Sequence, residues 1–370
     1  MNNNSWLEVD RKIIFSNIHT INKKLGPKTK ILAAIKSNAF GHGLLEIAEI
    51  CYLSGIRHFG VKDSEEALIL RKRYKDCLIL IFYKTNLWEV YDLAKNDISI
   101  SIYSLADAKS INEKLKMNNI KINVHIAIDT GMNWLGIGSE AALSTIKYIN
   151  DNLTNLVIEG IYSNLGQAEN NIKFTKIQID TFKHIISTLE ANYIHMRYKH
   201  IANSAGLFNF QESHLNMVDP GMSIFGIKPK GNYSDKGLKE SLSLKTRVMQ
   251  VKRICQGSFV GYGSKNKLKE NKVIAIIPLG YYDGLNLALS NNYKVLIHGE
   301  EARIIGRIAM NISVIDVTRI ENVRTGNIVT IIGRQGTRKK TVTEMSKILK
   351  TIPQEVFCNL SNNKVIKYFD

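Results

Sequence analysis

Residues 31–43 read ILAAIKSNAFGHG: five apolar residues running into Lys36, then small polar residues and two glycines around a histidine. An apolar run of this length closed by a glycine-containing turn predicts a strand buried on both faces, as in a parallel sheet covered by helices. A lysine at the rim of such a strand loses part of its hydration, which favours the neutral amine and equips it to attack a carbonyl. A lysine that simply extends its ammonium into solvent would satisfy the same pattern. Position alone leaves both readings open.

Further elements must hold that lysine in place. Eight apolar, β-branched runs predict strands at 30–36, 58–63, 77–83, 98–104, 121–130, 156–164, 198–204 and 222–226. Between them lie amphipathic stretches at 44–55, 64–75 and 174–193, with Ser64 as a candidate N-cap and Gly55 as a C-terminal stop. Eight strand–helix units describe a (β/α)8 TIM barrel, an α/β fold whose active site lies at the carboxyl ends of the strands, where Lys36 falls. Beyond residue 228 short strands follow one another, separated by turns, until a helix at 341–352. This predicts a mostly antiparallel C-terminal β domain with one late helix. The expected domains are a barrel over 8–228 and a β domain over 229–370, which residues 1–7 could join. The linker is expected near KPKGNYSDKG (228–237).

Composition narrows the function. The 370 residues carry a formal charge of +17, but the lysines are scattered, and the densest cluster, RQGTRKK at 334–340, reads as an exposed turn. Charge of this kind bears on solubility and steering, so no nucleic-acid partner is expected. Cys51, Cys77, Cys255 and Cys358 are far apart and form no Cys-x-x-Cys pair, which implies neither a metal site nor a disulfide framework. With no signal-like start and no long apolar span, a cytoplasmic protein without a membrane partner is expected.

Seven segments then occur in order: KSNAFGHG (36–43), DTGMNWLG (129–136), HIANSAG (200–206), PGMSIFG (220–226), VGYG (260–263), PLGYYDG (278–284) and GRIAMN (306–311). Together they resemble the signature segments of the alanine racemase family, fold type III enzymes that use pyridoxal 5′-phosphate, and the resemblance spans nearly the whole chain. It implies that Lys36 is the Schiff-base lysine and first catalytic base, and that Tyr262 is the second base, reaching across a head-to-tail homodimer whose active site is shared between subunits. Two bases suit inversion at Cα, since one face must lose a proton and the other gain one. The resemblance further implies cofactor contacts from Phe40, Asn164, His200, Asn203, Ser204, Asp219, Gly221, Met222 and Gln354. Substrate contacts would come from Trp134, Tyr281, Met310 and Asn311.

Several of these positions depart from the family pattern. Asp219 stands where the family has arginine facing the pyridine nitrogen, and Asn164 replaces the histidine that partners that arginine. A carboxylate would hold the nitrogen protonated and deepen the electron sink, which could divert the chemistry to transamination or decarboxylation. Phe40 replaces a tyrosine that binds the phosphate, and Gln354 stands at a second such tyrosine. Ala127 replaces a lysine that is carbamylated in many members, Trp134 the arginine it supports, and Asn311 an aspartate. Losing a charge-assisted carboxylate contact costs about 1.5–3 kcal/mol, which favours an altered substrate over an unchanged alanine site whose clamp is repaired by Arg307 or Lys265. The resulting expectation is an amino-acid racemase with altered substrate preference; a transaminase or decarboxylase on the same fold is the alternative. A non-catalytic cofactor-binding protein is a third reading, disfavoured by the retention of both bases.

Overall fold

The computed structural model describes residues 4–231, 237–263, 267–361 and 365–370. Lys265 and residues 232–236 of the expected linker lie outside the described residues. The chain divides into two compact units.

The first unit runs from Phe15 to Leu238, without residues 40–43. Its parallel strands are Lys30–Ala34, His58–Val61, Leu78–Ile81, Ser99–Ile102, Ile122–Asp129, Leu156–Tyr162, Tyr198–His200 and Met217–Val218. Each hydrogen-bonds to its neighbours, and pairing of Ser99–Ile102 with Ile122–Asp129 closes the sheet into an eight-stranded barrel. Residues 31–35 are all buried, as expected for a strand with a filled bore on one side and helices on the other. Leu32, Leu80, Tyr198 and Met217 form one apolar cluster of the bore, with Leu78 and Phe82 against it. Four polar strand residues, Ser99, Ser101, His125 and His200, are buried as well.

Two local expectations need correction. The eighth strand is Met217–Val218, not 222–226. Pro220 removes a ladder donor, and the following residues coil tightly, with Ile224 N, Phe225 N and Gly226 N donating to the carbonyls of Gly221, Met222 and Ser223. The helix Ser64–Arg73 is capped by Asp63, not Ser64; the Asp63 carboxylate accepts from Glu66 N.

The second unit contains the chain through Ile14, Phe40–Gly43 and everything from Lys239 onward. Its sheet runs in the order Gln250–Ile254, Lys272–Ile277, Ser313–Asp316, Glu300–Ile305, Lys294–Ile297, Ile328–Gln335, Leu242–Arg247, Ser5–Asp10 and Val365–Phe369. All neighbours are antiparallel except the last pair, so the N-terminal strand is built into this sheet. Instead of one late helix there are two, Val342–Leu349 and Pro353–Ser361. Lys350 caps the first in the left-handed region at φ 55°, and Pro353 opens the second, where its missing N–H costs nothing.

Candidate active site

Lys36 follows the strand Lys30–Ala34 at the carboxyl end of the barrel. Its Nζ lies 3.2 Å from the Tyr83 hydroxyl and above the rings of Phe82 and Tyr83, 5.9 and 5.0 Å from their centroids. The turn that follows is unusual: Ser37, Asn38, Ala39 and Phe40 all have φ of 53–55°, and Gly41 has 83°, so Lys36–Gly41 is a left-handed helical turn. L-residues resist this conformation at about 1–2 kcal/mol each. Glu66 holds it, with Oε2 accepting from Ser37 N (3.1 Å) and Lys62 N (2.9 Å), and Oε1 from Asn38 N (2.6 Å). The Asn38 side-chain oxygen, Oδ1, in turn accepts from Leu44 N at 2.8 Å. Gly41 is required twice over, by its φ and by a close approach: a Cβ there would sit 2.2 Å from Ser361 Oγ.

Asp219 directly follows the eighth strand, and its side chain is only 10% exposed. Oδ2 meets His200 Nδ1 at 3.2 Å, while Oδ1 is buried with no hydrogen-bond partner among the described residues. Behind it, His200 Nε2 meets His125 Nδ1 at 3.3 Å, and His125 Nε2 faces Glu159 Oε2 at 3.7 Å, longer than a hydrogen bond. Ser99 Oγ donates to Glu159 at 2.9 Å. Burial lowers His125 to a pKa of about 4, so it is neutral at physiological pH. Glu159 lies below the ordinary carboxylate range: burial raises it, but the nearby His125 ring, the hydrogen bond from the Ser99 hydroxyl and the positive charge of Arg197 outweigh that effect. Tyr162 stacks on His200 at 5.1 Å and donates to Ser101 Oγ at 2.9 Å; burial pushes its phenol well above the usual range.

Beside Asp219, Ser204 opens the short helix Ser204–Asn209. Its Oγ accepts from Gly221 N (3.2 Å) and Ser223 N (3.1 Å), tying the 204 and 221–223 segments together. Asn203 caps that helix, accepting from Ala205 N and Gly206 N, and donates to Asn164 Oδ1 at 2.9 Å. Asn164 is therefore bonded to Asn203, while Asp219 turns to His200. Ala127 is a buried strand residue with no polar side-chain atom, and Trp134 stands 74% exposed on the loop whose amides Gly131 N and Asn133 N are held by Asp129.

The other expected residues belong to the β unit. The amides of Tyr281 and Tyr282 donate to Ala309 and Met310 carbonyls, so the 281 turn and the 309–311 segment lie together. Gly280 permits this, since a Cβ would fall 2.2 Å from the Ala309 oxygen. Tyr262 is 71% exposed on the loop where Gly261 touches the Arg307 backbone, Asn311 is exposed, and Gln354 lies in the first turn of Pro353–Ser361.

Sequence reasoning missed Glu66, Tyr83, His125, Glu159 and Ser223. Glu66 was visible only as a helix-start acid, and buried His125 and partly buried Glu159 lay within runs read as ordinary strands.

The donor set fits pyridoxal 5′-phosphate: an amine at a strand end, small residues near Ser204 and Gly221, and a buried, unpartnered carboxylate oxygen of the kind a protonated ring nitrogen would satisfy. Family models for the N-terminal and C-terminal domains of alanine racemase match residues 9–229 and 241–368. The chain belongs to the alanine racemase family. It is 39% identical over 366 residues to alanine racemase 1 of Caldanaerobacter subterraneus subsp. tengcongensis, covering 98% of this chain and 94% of that protein. Among solved structures, alanine racemase of Clostridium difficile 630 superposes with a TM-score of 0.93 at 28% identity, covering 100% of this chain and 96% of that one. Alanine racemase from Bartonella henselae, solved with covalently bound pyridoxal phosphate, gives a TM-score of 0.88 at 26% identity over 99% of each chain. The alanine racemase family thus accounts for both units and for the order of the seven segments.

Proposed function

We propose that this protein is a pyridoxal 5′-phosphate-dependent amino-acid racemase acting through Lys36 and Tyr262, with a substrate preference altered from alanine. The observation that carries the reading is Lys36 at the carboxyl end of the barrel in a chain of the alanine racemase family that keeps Tyr262 in its VGYG segment, while the buried, unpartnered Oδ1 of Asp219 supports a cofactor ring at the same barrel end. The bound cofactor supplies an electron sink for the pair left when a Cα proton departs. Lys36 Nζ anchors the cofactor and moves the proton on one face of Cα, the neighbouring Tyr83 hydroxyl holding the amine in place. The Tyr262 phenol moves the proton on the opposite face, so one proton leaves and one returns with inversion. Asp219 holds the ring nitrogen, with Ser204, Gly221, Met222 and Asn203 at the phosphate end; Phe40, Asn164 and Gln354 complete the cofactor contacts and His200 backs Asp219.

Met310, Asn311 and Tyr281 line the substrate carboxylate region, and Trp134 presents an aromatic wall in place of a cation, which suits a larger side chain than alanine's. Tyr262 acts from the partner subunit of a homodimer. The four cysteines are free, and no helix among the described residues is long and apolar enough to cross a membrane, which supports a cytoplasmic setting. Asp219, a carboxylate where the family pattern has arginine, supports a second reading, transamination or decarboxylation.

The test is incubation of the cofactor-loaded protein with L- and D-amino acids in heavy water, followed by chiral separation with mass detection. Deuterium at Cα in both enantiomers supports racemisation and names the substrate. Keto acid or amine as the main product overturns it in favour of the second reading.

A further inference from the structure

The ring of Phe82 closes the top of the apolar bore. Leu80 belongs to the bore cluster, and Leu78 and Phe82, two residues to either side, pack against it, so Phe82 is the uppermost of three inward side chains. Its backbone is pinned although the strand itself ends at Ile81: Phe82 N donates to the Val61 carbonyl at 2.9 Å, and its own carbonyl accepts from the buried Tyr103 hydroxyl. Room for the ring comes from Gly60. That residue lies inside the strand His58–Val61 and outside the left-handed region, so its backbone does not call for glycine. A Cβ there would fall 2.2 Å from Phe82 Cε2 and 2.6 Å from Cζ. Glycine inside a strand marks a place that another group approaches closely, and here that group is the ring. Gly60, Leu80 and Ile81 are buried, yet Phe82 is still partly exposed. Lys36 Nζ lies 5.9 Å from its centroid, and Tyr162 meets it edge-on at 5.9 Å; Tyr162 stacks on His200, which meets Asp219. Phe82 and Tyr162 therefore link the amine to the carboxylate across the barrel mouth.

We infer that Phe82 is a positioning residue for the cofactor: its ring, admitted by Gly60 and fixed through the Val61 carbonyl and the Tyr103 hydroxyl, is the platform on which the pyridine ring rests between Lys36 and Asp219. In pyridoxal the aldehyde carbon and the ring nitrogen lie on opposite sides of a flat six-membered ring, so a cofactor joined to Lys36 and facing Asp219 spans this stretch of the mouth. The aromatic surface that Phe82 leaves open is then covered by another aromatic ring, a pairing that adds to simple burial. The inference rests on the cofactor reading of Lys36 and Asp219, and adds to it a residue that neither holds the amine nor moves a proton.

The test measures two ligands on the full-length, cofactor-free protein by calorimetry, with the melting of each ligand-free variant recorded alongside. Pyridoxine 5′-phosphate carries the ring and the phosphate but no aldehyde, so it binds without bonding to Lys36; inorganic phosphate, measured by competition, reports the phosphate end alone. Phe82→Leu should weaken pyridoxine 5′-phosphate by about three- to tenfold, the worth of one aromatic contact, and leave inorganic phosphate unchanged. Gly60→Ala, which forces the ring from its place, should weaken pyridoxine 5′-phosphate as well. Combined with Phe82→Leu it should add no further loss, because leucine lacks the clashing Cε2 and Cζ. Unchanged affinity of Phe82→Leu for pyridoxine 5′-phosphate overturns the inference, and so does an equal loss for both ligands, which marks a general disturbance of the mouth. Where Phe82→Leu melts well below the wild type, Phe82→Met, closer in volume and still without a ring, is judged by the same two affinities. A wild type that binds neither pyridoxine 5′-phosphate nor pyridoxal 5′-phosphate overturns the cofactor reading itself, whereas variants that match a binding wild type overturn only the platform.

Discussion

Replacement of Glu66 by alanine should release the left-handed turn that follows Lys36 without unfolding the barrel. Four consecutive non-glycine residues with φ of 53–55° carry a conformational cost of about 4–8 kcal/mol, at about 1–2 kcal/mol apiece. Strain of this size persists only where the surroundings over-determine it. The Glu66 carboxylate accepts from three backbone donors, Ser37 N, Asn38 N and Lys62 N, at 3.1, 2.6 and 2.9 Å. Hydrogen bonds to charged groups are worth about 1.5–3 kcal/mol; for a half-buried carboxylate about 1 kcal/mol each is the safer figure, so the substitution costs about 3 kcal/mol. A domain stable by about 5–15 kcal/mol survives that loss, but the turn does not retain its geometry. The assay is amide hydrogen exchange at Ser37 and Asn38 together with retention of pyridoxal 5′-phosphate at Lys36. Exchange should accelerate by about a hundredfold, since each 1.4 kcal/mol is tenfold, while amides of Ile122–Asp129 stay protected. Glu66→Gln, which keeps one acceptor oxygen, should fall between. Unchanged exchange at Ser37 and Asn38 in Glu66→Ala would refute the idea that this carboxylate holds the turn.

Asp219→Asn removes the anion proposed to face the ring nitrogen; the absorbance of the bound cofactor should shift toward its unprotonated-ring form and turnover should fall at least tenfold, and an unchanged spectrum places Asp219 away from the nitrogen. Gly41→Ala forces a Cβ to 2.2 Å from Ser361 Oγ at φ 83°, so the melting temperature should drop by several degrees, whereas Gly55→Ala, with open space around it, should cost only its conformational strain. His58 and His125 are both lowered from 6.5 to about 4, chiefly by burial. Each binds its proton more readily in the unfolded chain, so stability is full above about pH 6.5 and is lost as pH falls toward 4, by up to about 3 kcal/mol per histidine. Urea midpoints measured from pH 7.5 to 4.5 should fall accordingly, and His125→Asn should flatten the slope; a flat wild-type profile contradicts the burial argument.

The barrel was legible because parallel strands covered on both faces write themselves as largely apolar runs, and seven of its eight strands fall within the runs read from the sequence. The eighth was misplaced because MSIFG has the right composition, but Pro220 and Gly221 precede it and the chain there closes into tight turns. Lys36 was legible because it ends a predicted strand and opens a recognisable segment, and Asp219 because it immediately precedes another, PGMSIFG. Glu66 was not, since its role is to accept from the backbone of a turn nearly thirty residues away, and no local pattern distinguishes it from any acid in the first turn of a helix. The second late helix was missed because a proline three residues beyond a left-handed cap reads equally as a stop and as a start.

The same comparison explains why His125 and Glu159 escaped notice while defining the chemistry of the bore. Strand periodicity assigns a side chain to a face, and both residues satisfy that assignment as isolated polar intrusions into apolar strands. Their meaning arises only from closure: Ile122–Asp129 and Leu156–Tyr162 are adjacent strands, Tyr198–His200 adds the next ring, and Asp219 follows the strand after that. A row of polar groups on four successive strands cannot be seen in any one of them. A buried unpaired carboxylate oxygen is costly, and one at the end of such a row is tolerated where a donor from outside the chain is expected. The departure from the family pattern at position 219 is therefore better understood as one end of a row of polar groups than as a single exchanged residue.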